Sequence, residues 1–412
     1  MTAVTIERIA AGGDGVGRLE DGMTVFVPRT APGDQVELEA VERRRRYARA
    51  RVRHRSAAGP DRVEPSCEHY VGDACGGCQL QHLDSTAQLE AKRRIVGDAL
   101  RRIGGLDVPD PEIVVSPSPW RYRSRITLAA ARGRIGLHRF DSPGVVFELE
   151  DCPITRRRVM QLWQRLREHR SLLPRSLTGL MLREDRDGGL HAVVEASDQR
   201  VWDAAPLARA LGDPEVHVWW RPRGGAARVV AGPQRGFPAV AFEQVYPGFG
   251  QLIRAEAVAA LGDLSDKVVW DLYAGVGDTA ELLAAAGGRV WSVDADRQAV
   301  EWARAREGRS GAGALIQRIT GRVEEELHRL PTPHAVVANP PRGGLARTVS
   351  EALEVWAKTQ PGAVVCYVSC DPATLARDIA RMPALSMRSV TAYDLFPQTS
   401  HVEALAVLEA TA

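Results

Sequence analysis

Cys370 and Glu403, thirty-three residues apart, are the side chains of this chain best spaced to act together in covalent chemistry. Cys370 closes the apolar run Val364-Val365-Cys366-Tyr367-Val368-Ser369, which lies between Pro361-Gly362 and Asp371-Pro372. A run of that length between turn residues predicts a buried strand with the thiol at its end. In an open α/β sheet, that edge is where ligands bind. Glu403 opens a second strand-like run, through Leu408, after a turn over Pro397 to Ser400. A carboxylate at the start of a terminal strand can reach the same edge. Taken alone, either residue has a bland reading: a core thiol, which Cys366 keeps, and a solvated strand carboxylate. Together they form a nucleophile and a base.

The elements that must position this pair form a strand–loop–helix pattern from about residue 241. Lys267 to Leu272 predicts a strand running into the loop Tyr273-Ala274-Gly275-Val276-Gly277, followed by an apolar helical stretch. Arg289 to Asp294 predicts the next strand, which ends in an acid seventeen residues after Gly277. His334 to Asn339 and the strand before Cys370 continue the series, as expected for a doubly wound α/β sheet of the Rossmann-like kind. The position of a third glycine for a dinucleotide holds Ala280 instead. Asp271 before the glycines favours S-adenosylmethionine, which has no phosphate to cradle. Asp271, Gly275, Gly277 and Asp294 suit its cationic end, its need for close backbone approach and its ribose hydroxyls. Asn339-Pro340-Pro341 is followed by Arg342 rather than by an aromatic ring that would stack on an amino-bearing base. Arginine suits an oxygen-rich target such as uracil or a phosphate. Carbon 5 of uracil is too weak a nucleophile to take a methyl group unaided. A thiolate added at carbon 6 makes it one, and a base must then remove the carbon 5 proton. Cys370 and Glu403 meet both needs.

The other cysteines lie in the first half. Cys67, Cys75 and Cys78 cluster around Gly76-Gly77, and Cys152 is the remaining thiol outside the C-terminal half. Four thiolates suit zinc or a [4Fe–4S] cluster, and the spacing leaves both open.

Residues 1 to 57 alternate short β-like runs with the turns Gly12-Gly13-Asp14-Gly15, Asp21-Gly22 and Pro32-Gly33-Asp34. Five short strands predict a small barrel of the oligonucleotide-binding (OB) type. Eight arginines between Arg43 and Arg55, among them Arg45, Arg46, Arg49 and Arg51, mark it for phosphate-backbone contact. The segment resembles a TRAM domain, an RNA-binding barrel, in its Gly-Asp-Gly-Val-Gly-Arg-Leu run, Phe26-Val27-Pro28 and the Tyr47-Ala48-Arg49-Ala50-Arg51 ending. With 412 residues and a net charge of +2, the chain is long enough for two or three domains, and any nucleic-acid signal must be local. No stretch is apolar enough to span a bilayer, and the N-terminus lacks the pattern of a secretion signal. The expectation is a cytoplasmic protein, monomeric, with no membrane association and no obligate protein partner.

Across essentially its whole length the chain resembles the TRAM-containing RNA 5-methyluridine methyltransferases. The likeness rests on the barrel, the four early cysteines, Phe242-Glu243-Gln244-Val245, the Asp271 to Gly277 loop, and Pro340-Pro341-Arg342. It is completed by Tyr367-Val368-Ser369-Cys370-Asp371-Pro372 and the Phe396 to Glu403 motif. The resemblance implies three parts: the barrel over 1–57, an α+β central domain over 58–240, and a methyltransferase domain over 241–412. It implies that Cys67, Cys75, Cys78 and Cys152 hold a [4Fe–4S] cluster. It adds Gln244, Tyr273 and Asn339 to the contacts of the methyl donor. Arg123 or Arg125, on the stretch Trp120 to Ile126, would touch RNA or the target base. The substrate would be a uridine of structured RNA, ribosomal by preference or transfer RNA, flipped out to reach the thiolate. Tyr246, Asn339, Arg322 and Asp294 depart from the commonest residues of the family. Arg322 and Asn339 are what a catalytically silent RNA-binding relative would show.

Overall fold

The computed structural model describes every residue except 1, 201, 213–215, 235, 308–314 and 411–412. The N-terminal strands Thr2–Ile9, Gly15–Arg18, Thr24–Val27, Gln35–Arg43 and Ala48–Ala57 close into a barrel. Alternation of side chains along each strand sends Val4, Ile6, Val25, Val27, Val36 and Leu38 inward. The same alternation leaves Arg49 and Arg51 outside, with Arg45 and Arg46 exposed on the preceding turn. Arg29 ties the barrel to the cysteine segment. Its guanidinium lies 3.8 Å from the ring centroid of Tyr70 and 4.0 Å from that of Phe140, and it donates to the Cys75 carbonyl at 2.7 Å.

The central domain is built on a seven-stranded sheet, from Arg228–Ala231 at one edge to Val146–Glu148 at the other. Its pairs are antiparallel except for Leu190–Ala196 beside Val216–Pro222. Val159, Leu162, Trp163 and Leu166 of helix Arg157–Glu168 cover one face, so the fold is α+β.

The third sheet has eight strands. Ile316–Thr320, Arg289–Asp294, Val268–Leu272, Ala335–Ala338 and Val364–Ser369 run parallel in that spatial order. Glu403–Ala410 adds antiparallel to Val364–Ser369, and Leu385–Tyr393 adds antiparallel to it. The eighth strand corrects the expected domain boundaries. Glu112–Val114, from inside the predicted central domain, pairs with Leu385–Tyr393. Helix Ser85–Arg102 also belongs here, with Ile95, Val96 and Leu100 in the core that holds Val365, Leu375 and Leu408. Its sequence carries an apolar stripe, Leu89, Ile95, Val96 and Leu100, and Asp84 caps it by accepting from the Ala87 N–H at 2.8 Å. The stripe shows that a helix has a face to bury, but not which domain receives it. No helix among the described residues is long and apolar enough to cross a membrane.

One consequence of this docking is a buried lysine. Lys92, on the helix, is fully buried, pairs with Asp394 and donates to the Phe396 carbonyl at 2.9 Å. Lys92→Ala leaves the Asp394 carboxylate buried without its cation. A loss of about 3–5 kcal/mol is expected, read as a lowered denaturant midpoint with an unchanged slope.

Candidate active site

The last strand pairs antiparallel with Val364–Ser369 in a register that matches Ser369 with Ala404. That register puts the next residue, Cys370, opposite Glu403. Both line one cavity of about 610 Å³ at the strand ends, together with Arg342, Phe396 and His401. Cys366, four residues earlier, is fully buried, donates to the Ala257 carbonyl at 3.1 Å and reaches no cavity described here. Even spacing along the strand puts the two thiols on one face, so burial separates them.

The carboxylate of Glu403 is almost wholly buried. Gln244 Nε2 donates to its Oε1 at 3.1 Å, while Oε2 has no partner among the described residues. Burial pushes the group up to about 7, against the Gln244 hydrogen bond and the Arg342 charge, which pull it down. An acid tuned there takes a proton at neutral pH and gives it up again. Burial also pushes the Cys370 thiol up to about 11. The negative charge of Glu403 adds to that rise, and Arg342 opposes it. Arg342 is therefore the cation that favours both ionised forms.

His401 stands two residues before Glu403, within the Phe396 to Glu403 motif. The structure places it in the cavity wall, edge-on to the Phe396 ring at 5.9 Å. Desolvation, then the charges of Arg342, Arg123 and Lys92, hold its imidazole neutral, down to about 4. The loop before it is fastened from the N-terminal half. Gln398 exchanges hydrogen bonds with Gln88 at 3.0 and 3.1 Å, its carbonyl accepts from the Leu80 N–H at 3.0 Å, and Tyr122 donates to the Pro397 carbonyl at 3.0 Å.

The same cavity holds most of the expected donor contacts. Gln244, Tyr273, Asp294 and Asn339 all line it. The Asp294 carboxylate is set by the Gly275 N–H at 2.6 Å and the Asp296 N–H at 2.7 Å. Asp271, Gly275 and Gly277 do not line it. Asp271 is buried beneath the loop, where it accepts from Ser292 at 3.3 Å and faces Arg318, and burial raises it to about 7. Gly277 has a positive φ of 79°, and a Cβ there would meet Arg318 Nη1 at 1.8 Å. That glycine thus makes room for a buried guanidinium. Glu324, passed over in the sequence, lines the cavity beside Val323 and forms an ion pair with Arg322. Arg322, one of the departures from the commonest residues of the family, therefore has a carboxylate two residues on. Tyr246, another departure, stacks on Tyr122 at 5.7 Å.

The four early cysteines also meet. Cys67, Cys75, Cys78 and Cys152 line a separate cavity of about 190 Å³. Burial raises Cys67 and Cys78, and raises Cys75 to about 11; the Cys152 charge adds to the rise in all three. Among the described residues no group of three or more His, Cys, Asp or Glu is placed to hold a metal ion. The fold supplies a space ringed by four thiols, and not a ready-made single-ion site. Arg123 and Arg125 line both this cavity and the larger one, so their segment is the wall between them.

A mostly parallel sheet with a thiol, a buried acid and a donor-sized cleft at its strand ends defines a methyltransferase class of protein. Residues 2–52 match the TRAM domain family, and residues 249–375 match a precorrin methyltransferase domain family. An uncharacterized RNA methyltransferase of Gloeobacter violaceus is 34% identical over 98% of this chain and 96% of its own length. The 23S rRNA (uracil(1939)-C(5))-methyltransferase RlmD of Halomonas elongata is 31% identical over 98% of this chain and 89% of its own. In fold, the chain is similar to the solved tRNA (uracil-54, C5)-methyltransferase of Pyrococcus abyssi, with a TM-score of 0.72, 24% identity, and 99% and 100% of the two chains covered. The chain belongs to the TRAM-containing RNA uracil-C5 methyltransferase family.

Because the Glu403 charge raises the Cys370 thiol, removing that charge should lower it. Glu403→Gln is expected to speed alkylation of Cys370 by iodoacetamide at pH 8 by about threefold or more. Peptide mass spectrometry over a pH series checks this; an unchanged or slower rate would show that the two groups do not interact.

Proposed function

We propose that this enzyme methylates carbon 5 of a uridine in structured RNA through a covalent adduct on Cys370. The observation that carries the proposal is the strand register that sets Cys370 opposite a buried Glu403 in one cavity. The Cys370 thiolate adds to carbon 6 of a flipped uracil, and the electron pair moves toward carbon 5 and oxygen 4. S-adenosylmethionine, when bound, supplies the electrophilic methyl group that carbon 5 takes. Asp294 and Glu324 suit its ribose and adenine, and Asn339 and Tyr273 its reacting end. Glu403 then removes the carbon 5 proton, and the Cys370 sulfur leaves carbon 6, restoring the double bond and the thiolate. Arg342 offsets negative charge on the thiolate and on the ring oxygens. Proton removal needs ionised Glu403, so its rate should rise as pH increases through about 7.

The substrate is proposed to be 23S ribosomal RNA, on the strength of the relative from Halomonas elongata, which acts on uracil 1939 of that RNA. Exposed Arg45, Arg46, Arg49 and Arg51 on the barrel would hold phosphates, and Arg123, Arg125 and Arg342 would meet the flipped nucleotide. We infer that the cysteine cavity takes a [4Fe–4S] cluster rather than zinc, as the family resemblance implies. Four thiols line its wall, a donor set that both groups accept. The Gly77 N–H donates to Cys75 Sγ at 3.3 Å, a kind of hydrogen bond that would help set the potential of such a cluster. Cys67, Cys75, Cys78 and Cys152 would hold the cluster, in a cytoplasmic, monomeric enzyme.

Two measurements check this reading. Labelled methyl should pass from S-adenosylmethionine to unmodified 23S rRNA with the wild-type enzyme. Cys370→Ser should reduce transfer by about 10⁴-fold or more, and Glu403→Gln should accumulate an RNA–protein adduct that survives denaturing gels. Transfer to tRNA alone would redirect the substrate, and transfer to neither RNA would end the proposal. Anaerobically purified protein should carry iron and sulfide with visible absorbance that bleaches on reduction, and Cys78→Ala should lose it; a colourless zinc protein refutes the cluster.

A further inference from the structure

We propose that Arg186 is a positioning residue that couples the base Glu403 to the methyl-donor loop from the central domain. The inference rests on the reaction proposed above. Two arginines at the end of strand Leu177–Glu184 and in the turn beyond it reach into the catalytic domain. Arg183 is almost fully buried. It donates to the carbonyls of Ala239 and Ala241 at 2.9 and 2.8 Å and to Glu243 at 2.5 Å, and lies 4.3 Å from the Phe237 ring centroid. It thus grips the segment that joins the two domains. Arg186 holds the same carboxylate, with Nε and Nη2 donating to Glu243 Oε1 at 2.9 and 2.6 Å.

The remaining face of the Arg186 fork binds Asp278, with Nη2 donating to Oδ2 at 2.8 Å. Asp278 opens the helix Asp278–Ala285 immediately after Gly277, at the end of the donor loop. Glu243 is followed by Gln244, which donates to Glu403. A single planar guanidinium therefore holds two carboxylates, one leading to the base and the other to the donor loop. Lysine, a point charge without a fork, cannot hold both in fixed geometry. Arg254 also reaches Asp278, at 3.3 Å. The network borders its own cavity of about 360 Å³, so it lies beside a cleft and is not sealed on every side.

The two arms predict two separable effects. Gln244 pulls the Glu403 carboxyl down, so a displaced Gln244 lets it rise, and the ionised base then appears at higher pH. Arg342 and Cys370 are the other charged or titratable groups that act on Glu403, and neither is altered by the substitutions.

The test measures S-adenosylhomocysteine affinity by calorimetry and the pH dependence of single-turnover methyl transfer, with melting temperature as a fold check. Arg186→Gln should weaken affinity about fivefold and move the acidic limb up by about half a pH unit. Asp278→Asn should weaken affinity and leave the limb in place, whereas Arg183→Lys should move the limb and spare affinity. Arg186→Lys is the second variant if Arg186→Gln does not fold. Wild-type values for both readouts in the Arg186 variant overturn the coupling. A change confined to melting temperature overturns it too, as does failure of both Arg186 variants to fold, since the role is then structural alone. Wild-type enzyme that transfers no methyl group to RNA instead defeats the underlying reaction.

Discussion

Burial of the Glu403 carboxylate against the Cys370 thiol is the constraint to which the rest of the molecule answers. The terminal strand is apolar and enclosed apart from Glu403 at its start and the part-exposed Glu409 near its end, and the Glu403 carboxylate is itself buried, only 1% exposed. Moving a charged carboxylate out of water costs several kcal/mol unless partners replace the lost hydration. Here those partners are few: one amide hydrogen bond from Gln244 and the nearby charge of Arg342. The incomplete compensation leaves the acid near neutral pH. A better-solvated glutamate would be a weaker base, and an uncompensated one would stay protonated.

Such a site must be held from outside the sheet, and the N-terminal third of the chain does much of this. The loop from Asp394 to Ser400 is bonded by Lys92, Gln88, Leu80, Gln79 and Tyr122. Gln88 and Gln398 are 310 positions apart in sequence. Contacts of that span make the catalytic sheet complete only once the early helix has docked, which ties its formation to nearly the full chain. The cysteine segment lies on the same path, since Gln79 and Leu80 directly follow Cys78 and both touch the loop that leads into Glu403. Whatever fixes Cys78 in place therefore fixes the approach to Glu403.

What the sequence made legible follows local rules. Apolar runs between turn residues located the barrel strands and the strand before Cys370. The thiol and acid were legible because strand ends are predictable and one sheet edge collects them. Side chains whose surroundings come from distant segments were not legible. Asp271 and Gly277 are expected as donor contacts from spacing alone, and neither lines the cavity. Arg318, arriving from a strand more than forty positions later, fills the space beside both. Strand Glu112–Val114 is three residues long, too short for any period to show where it belongs. Glu324 stood beside the residue that drew attention, and only the helix turn after Arg322 brings its carboxylate to the cavity.

The wall formed by Arg123 and Arg125 joins these lines of reasoning. Alternate residues of one extended segment point the same way, so the two arginines share a face. That face meets the large cavity and the four-cysteine cavity together. Burial and the neighbouring charges of Arg183 and Arg123 bring Arg125 down to about 10, and Glu243 opposes that fall. Arg123 acts on Cys78 on one side and on His401 on the other. Positive charge placed in the dividing wall favours anionic sulfur behind it and electron-rich oxygen in front of it. The same two side chains thus make the thiol-lined cavity hospitable to thiolates and the active-site cavity hospitable to a uracil ring that gains negative charge during reaction. Glu243, held by Arg183 and Arg186, is the carboxylate that keeps this concentration of arginines buried at the domain boundary.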